Sequence, residues 1–158
     1  KLWILSKQQM LEGAYDSLAV FGRSHFRAKT ASGWGIIDEN GKILLPFGYD
    51  QIGPLRSRFG RFPKDMASIT KGGLQGYVLE DGRFFVAPKY QEIRAFQEGM
   101  ARFQLNDFWG FVDEKGKEVI GAKYESVSPF EHGLSEVQLK GKTFYIDKSG
   151  KCQKNCED

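Results

Sequence analysis

The chain has 158 residues, enough for one domain or one short repeat array with a useful core. Its 23 basic and 20 acidic side chains leave a net charge of +3, too mild to argue for nucleic acid or an anionic membrane as partner. No apolar run approaches the roughly 18 residues of a membrane helix and no signal-peptide core is visible; Lys1 rather than Met stands first, as at a processing site, so a targeting signal upstream is left open.

Aromatics make up 14% of the residues, with 13 Phe, and there are 19 Gly, a mix that favours β-structure punctuated by tight turns. Lys7 to Tyr15 is mildly helix-like, but Tyr15 falls in register with later tyrosines, which argues against a helix there. Trp34 to Tyr49 reads W-G-I-I-D-E-N-G-K-I-L-L-P-F-G-Y. The text returns, altered, at Gln75 to Tyr90, then clearly at Trp109 to Tyr124, and begins again at Thr143. The turn glycines Gly82, Gly116 and Gly150 fall at equal intervals, and Gly41 precedes Gly82 by a somewhat longer one. A fixed period of this length is the signature of a repeat architecture.

Each unit contains three short strands. Met100 to Leu105 and Leu134 to Leu139 alternate apolar and polar, the mark of a half-buried strand, with Arg102 and Gln104 facing out and Leu134 inside with Val137 or Leu139. Trp109 to Val112 and Ile36-Ile37 form the second strand; Glu118 to Ile120, Ile43 to Leu45 and Phe84 to Val86 form the third. Asn106-Asp107, Lys140-Gly141 and Gly72-Gly73 suit two-residue hairpins, which need positive φ. Asp38 to Gly41, Asp113 to Gly116 and Asp147 to Gly150 predict a type I turn closing into a bulge, with Asp capping backbone N–H groups. The connections from Tyr90 through Phe96 and from Tyr124 through Phe130 read as mostly irregular, pinned to the core by their aromatic side chains.

These residues resemble a known family, the bacterial WG-repeat proteins. The unit is similar to theirs at Trp34-Gly35-Ile36-Ile37-Asp38, Gly41-Lys42, Pro46 and Tyr49-Asp50. It is similar again at Trp109-Gly110-Phe111-Val112-Asp113, Gly116-Lys117 and Tyr124, followed by Phe130, Gly133, Leu134 and Val137. Gln75 and Thr143 replace the Trp, Phe144 the Gly and Leu79 the Asp. The resemblance implies β-repeat arrays that interact rather than catalyse, commonly appended to other domains or exported to the cell envelope. It carries over no active-site residues.

The expected fold is all-β: tandem three-stranded antiparallel meanders stacked as an open, curled, solenoid-like array, with a small β-propeller as the alternative. One domain spans residues 1–151, with units at about 1–33, 34–74, 75–108 and 109–142 and a partial unit at 143–151, followed by a tail at 152–158. Cys152 and Cys156 in that tail cannot close a four-ligand zinc site alone; a local disulfide or two free thiols on a frayed end are both open.

The repeated Asp38, Asp113 and Asp147 are explained by their turns rather than by metal or acid–base chemistry. Trp34 and Trp109 read as packing residues before they read as sugar platforms. His25 takes a slot held elsewhere by Met66, Met100 and Leu134, and His132 matches Glu98 in an exposed connection, so neither belongs to a triad. Gly72 to Gly76 lacks the Lys-Ser/Thr and helix of a phosphate loop.

One segment is not explained by the period. The first unit is longer than the others, and the excess lies in Arg56-Ser-Arg-Phe-Gly-Arg-Phe-Pro-Lys64. Four cations and two phenylalanines on one loop suit a protein hot spot; the bland reading is a solvated insertion whose phenylalanines fold back onto the sheet. The function expected is therefore a non-enzymatic interaction or scaffold module. It would bind a protein partner through Arg56, Arg58, Phe59, Arg61, Phe62 and Lys64, without cofactor or metal, in a cell envelope or secreted, with the cytoplasm as the alternative compartment. Glycan binding comes second and a carboxylate hydrolase last.

Overall fold

The computed structural model describes residues 14–56 and 62–157. Every regular element among them is a β-strand, and the strands form four antiparallel sheets of four, each in sequential order and none closed into a barrel. The first sheet holds β1 (Ser17–Phe21), β2 (His25–Thr30), β3 (Gly33–Asp38) and β4 (Ile43–Tyr49). The second holds β5 (Gln51–Ile52), β6 (Met66–Lys71), β7 (Leu74–Leu79) and β8 (Phe84–Tyr90). The third holds β9 (Glu92–Ile93), β10 (Met100–Leu105), β11 (Phe108–Asp113) and β12 (Glu118–Tyr124). The fourth holds β13 (Ser126–Val127), β14 (Ser135–Leu139), β15 (Lys142–Ile146) and β16 (Cys152–Lys154). The chain divides into two compact units, Lys1–Ser57 with Lys64–Pro88 and Arg58–Pro63 with Lys89–Asp158.

The three-stranded meander is present in every sheet. The connections expected to be irregular supply a further short strand to three of them. Just after Tyr49 the chain bends at Asp50, and Gln51 and Ile52 pair with Thr70 and Ile69 of the next sheet. Ile93 pairs with Phe103, and Val127 with Val137, in the same way. Two residues are too few for alternation to register, yet burying Ile52 and Ile93 contributes apolar area that an irregular connection would not. A second difference concerns Leu134. It stands ahead of β14 in a single bridge pair with Glu131, and the inward positions of that strand are Ser135 and Val137.

The turns follow their local chemistry. Asn106 and Asp107 sit at φ 51° and 68°, Lys140 and Gly141 at 52° and 75°, Gly72 and Gly73 at 58° and 78°, as two-residue hairpins demand. At Asp113, one carboxylate oxygen accepts the N–H groups of Lys115 (2.9 Å) and Lys117 (3.0 Å), and the Gly116 N–H donates to the Asp113 carbonyl. Asp38 and Asp147 repeat the pattern. Where Leu79 replaces the Asp, Asp81 takes over part of the role by accepting the Arg83 N–H at 3.1 Å.

The glycine of each Trp-Gly pair has its own cause. Trp109 faces Tyr124 and Phe111 faces Ile120, so Gly121, Ala122 and Lys123 bulge over the single residue Gly110. A Cβ on Gly110 would lie 2.4 Å from the Ile120 carbonyl oxygen; one on Gly76 would lie 2.3 Å from that of Val86, and one on Gly35 2.8 Å from that of Leu45. Only glycine lets the strand fold over at this place.

In the first unit, Phe21, Ile36, Leu45 and Tyr49 of the first sheet interlock with Ile52, Ala67, Ile69 and Val78 of the second. In the second unit, Phe111, Ile120 and Tyr124 interlock with Phe130, Val137 and Ile146. One face of each leading sheet thus packs against the opposite face of the sheet that follows it in the unit. A fully buried Phe or Ile contributes roughly 1.5–3 kcal/mol, so each cluster contributes several kcal/mol of gross burial to its unit.

Candidate functional site

The six candidate residues divide three and three. Arg58, Phe59 and Arg61 lie outside the described residues. Arg56 is exposed and forms a single bridge pair with Met66, its N–H donating to the Met66 carbonyl at 2.8 Å. Lys64 is exposed, just ahead of β6. Phe62 is half-buried, its ring edge-on to that of Phe96 with centroids 6.5 Å apart. Phe62 therefore packs onto core, as the bland reading of the segment expects, while the two cations reach solvent. Arg56 also carries its charge to Tyr77. Burial pushes the Tyr77 hydroxyl up to about 12, and the Arg56 guanidinium works against that rise.

Trp34 and Trp109 are half-buried, and each carries an arginine over its ring: Arg27 at 5.7 Å from the Trp34 centroid and Arg94 at 5.3 Å from that of Trp109. Arg27 donates to the Ile52 carbonyl at 2.5 Å, while its buried Nε has no hydrogen-bond partner. Arg94 is held by Glu92 at 2.5 Å. Burial together with the neighbouring charge of Arg94 lowers the pKa of Arg102, against the pull of Glu92. One face of each indole is thus already occupied by a guanidinium from its own sheet, which leaves less ring for a sugar to stack on.

The other polar groups mostly tie the structure together. His25 Nδ1 lies 3.0 Å from Glu80 Oε1, which also accepts the Arg23 N–H at 2.7 Å. Glu98 accepts the N–H groups of His132 (2.7 Å) and Gly133 (2.8 Å), and these bonds hold its pKa below the usual carboxylate value. Burial first, then a short hydrogen bond to Glu118, raises the pKa of Tyr90; the same bond lowers that of Glu118, which Lys89 pairs at 2.9 Å. Among the described residues no three of His, Cys, Asp and Glu are grouped to hold a metal ion, and no helix is long and apolar enough to cross a membrane.

The sequence reading missed one recurring tie. The residue after each repeat tyrosine reaches the hairpin of the following sheet: Asp50 accepts the Gly73 N–H at 3.1 Å and Glu125 that of Gly141 at 3.1 Å. Gln91 accepts the Asp107 N–H at 2.7 Å and donates back to its carboxylate at 2.8 Å. Three residue types do one job, so only their fixed place after Tyr signals it.

Cys152 and Cys156 form a disulfide, which resolves the choice between a bridge and two free thiols. No curated protein and no solved structure gives a match. The family model for the WG containing repeat matches residues 34–74, 76–107 and 109–142. Those three matches start at or one residue past Trp34, Gln75 and Trp109 and together span more than half of the chain, which therefore belongs to the WG containing repeat family.

Proposed function

We propose that this chain is a non-enzymatic interaction module that binds a protein partner through the segment from Arg56 to Lys64 and serves in a cell-envelope assembly. The observation that supports the reading most is the departure from period. The first matched repeat runs over residues 34–74 where the others run over 76–107 and 109–142, and the extra residues carry four cations. At both ends of the segment a cation is exposed, on Arg56 and on Lys64. Repeats that carry one long basic segment suit an acidic protein surface, because charges held at an interface rim steer association and fix register.

The test is capture from the lysate of the source organism, followed by identification of retained proteins. The baits are the full chain and a variant carrying Arg56→Glu, Arg58→Glu, Arg61→Glu and Lys64→Glu. A partner held by the first and lost by the second, with capture weakening as salt rises, supports the segment as the site. A partner held equally by both moves binding to a face of the repeats. Fractionation of the source cells tests the compartment, and recovery in the cytosol alone rejects the envelope role.

A further inference from the structure

The fourth sheet breaks the rule that glycine obeys elsewhere. Phe144 stands where Gly35, Gly76 and Gly110 stand, and a backbone carbonyl lies over each of those glycines. In the third sheet the backbone atoms nearest a Cβ on Gly110 belong to Ile120, Gly121 and Ala122, and in the fourth the same offset falls on Lys154 to Cys156. Strand β16 stops at Lys154, Asn155 turns the chain at φ 56°, and the disulfide from Cys152 to Cys156 staples the resulting loop. The chain is thus led off the sheet instead of crossing position 144.

The displaced loop leaves a cavity of about 380 Å³ lined by Leu139, Phe144, Lys140, Lys142, the two cysteines, Asn155 and Glu157. Its floor is apolar: Phe144 and Leu139 both pack against the core cluster beneath. Its rim holds two lysines against one acid. Lys142 pairs with Glu157, and Lys140, placed on the hairpin at φ 52°, has no acid partner among the described residues. The volume lies within the range of small-ligand sites, roughly 300–1,000 Å³.

We infer that this cavity binds a small aromatic carboxylate, its ring on Phe144 and its carboxylate at Lys140, and that the closed disulfide forms the wall that makes the site. The inference goes beyond the protein-binding role of the Arg56–Lys64 segment and does not depend on it.

The experiment is a titration of the full chain with 2-naphthoate, followed by amide shifts in two-dimensional NMR. Saturable shifts confined to residues 139–144 and 152–157 are expected. Affinity should fall at least about tenfold when the disulfide is reduced with a phosphine, and about two- to fivefold in Lys140→Met, in keeping with a rim ion pair of a few tenths to one kcal/mol. Phe144→Leu, which keeps apolar bulk but removes the ring, should weaken binding while the remaining spectrum stays in place. The neutral 2-naphthylmethanol should bind more weakly than the acid. Unchanged affinity after reduction, equal binding of the alcohol, or shifts centred elsewhere in the spectrum would each overturn the assignment.

Discussion

Gly110→Ala tests the bulge that gives the repeat its Trp-Gly signature. The new Cβ would stand 2.4 Å from the Ile120 carbonyl oxygen and 2.8 Å from both the Ala122 nitrogen and the Gly121 carbonyl carbon. All three are backbone atoms, so no side-chain rotation relieves the clash and β12 must move. Overpacking of this kind costs about 1–3 kcal/mol. For a chain of this size each kcal/mol shifts Tm by about 2–4 °C, so a loss of roughly 2–12 °C is expected. Gly121→Ala is the control, because nothing lies within 4 Å of its Cβ position. It should be neutral or gain up to about 1 kcal/mol through the unfolded chain. In the fourth sheet the logic inverts: Phe144→Gly should destabilise, since the ring packs against the core and no strand crosses there. The assay is chemical and thermal unfolding of all three variants beside the native chain. A cost for Gly110→Ala no larger than that of an ordinary surface substitution, about 0.5 kcal/mol, would show that the strand does not press on this glycine. An equal cost for Gly121→Ala would show the same.

Two further outcomes concern pH. The Asp147 carboxylate is hydrogen-bonded first by the Ser149 hydroxyl and then by backbone N–H groups, which hold its pKa below the ordinary Asp value. A folded-state pKa below the unfolded one gives stability that is complete above the unfolded value and drains away as pH falls through the folded one. Unfolding midpoints should therefore fall below about pH 4, and Asp147→Asn should flatten that slope; an identical slope in the variant removes Asp147 as its source. Tyr77 has the opposite sign. Its folded pKa, pushed up to about 12, exceeds the ordinary 10, so its contribution is intact below pH 10 and is lost between pH 10 and about 12. At 1.36 kcal/mol per pKa unit the loss is on the order of 2–3 kcal/mol. The stability gap between the native chain and Tyr77→Phe should narrow across that window, and a constant gap would refute the burial argument.

What could be read from the sequence was whatever is local. The period, the Asp-to-Gly turns and the hairpin pairs such as Lys140-Gly141 are each decided by a few adjacent residues, and the structure shows them in place. The family was legible because Trp-Gly recurs in fixed register. Hidden features depend on partners distant in sequence. Gln51-Ile52 forms a strand only because Thr70 and Ile69 lie beside it. The arginine over each Trp comes from β2 in one case and from just past β9 in the other, so no spacing predicts it. The candidate segment was visible as a break in period. The packing of Phe62 against Phe96 was not, because a whole hairpin and more of chain separates the two.

The offset between text and sheet also bears on how such a chain grows. A sequence repeat starting at Trp34 supplies β3 and β4 to one sheet, then β5 and β6 to the next. Each copy is therefore two half-sheets joined at Tyr49, rather than one whole sheet. Removing Gln75 to Phe108 would bring Leu74 against Trp109 and join the front half of the second sheet to the back half of the third, with both hairpins and both bulges complete. Unequal recombination between copies thus adds or deletes whole sheets, one period at a time, and leaves no strand unpaired. Gene-level slippage, usually ruinous for a β-protein, becomes here a way of adjusting length.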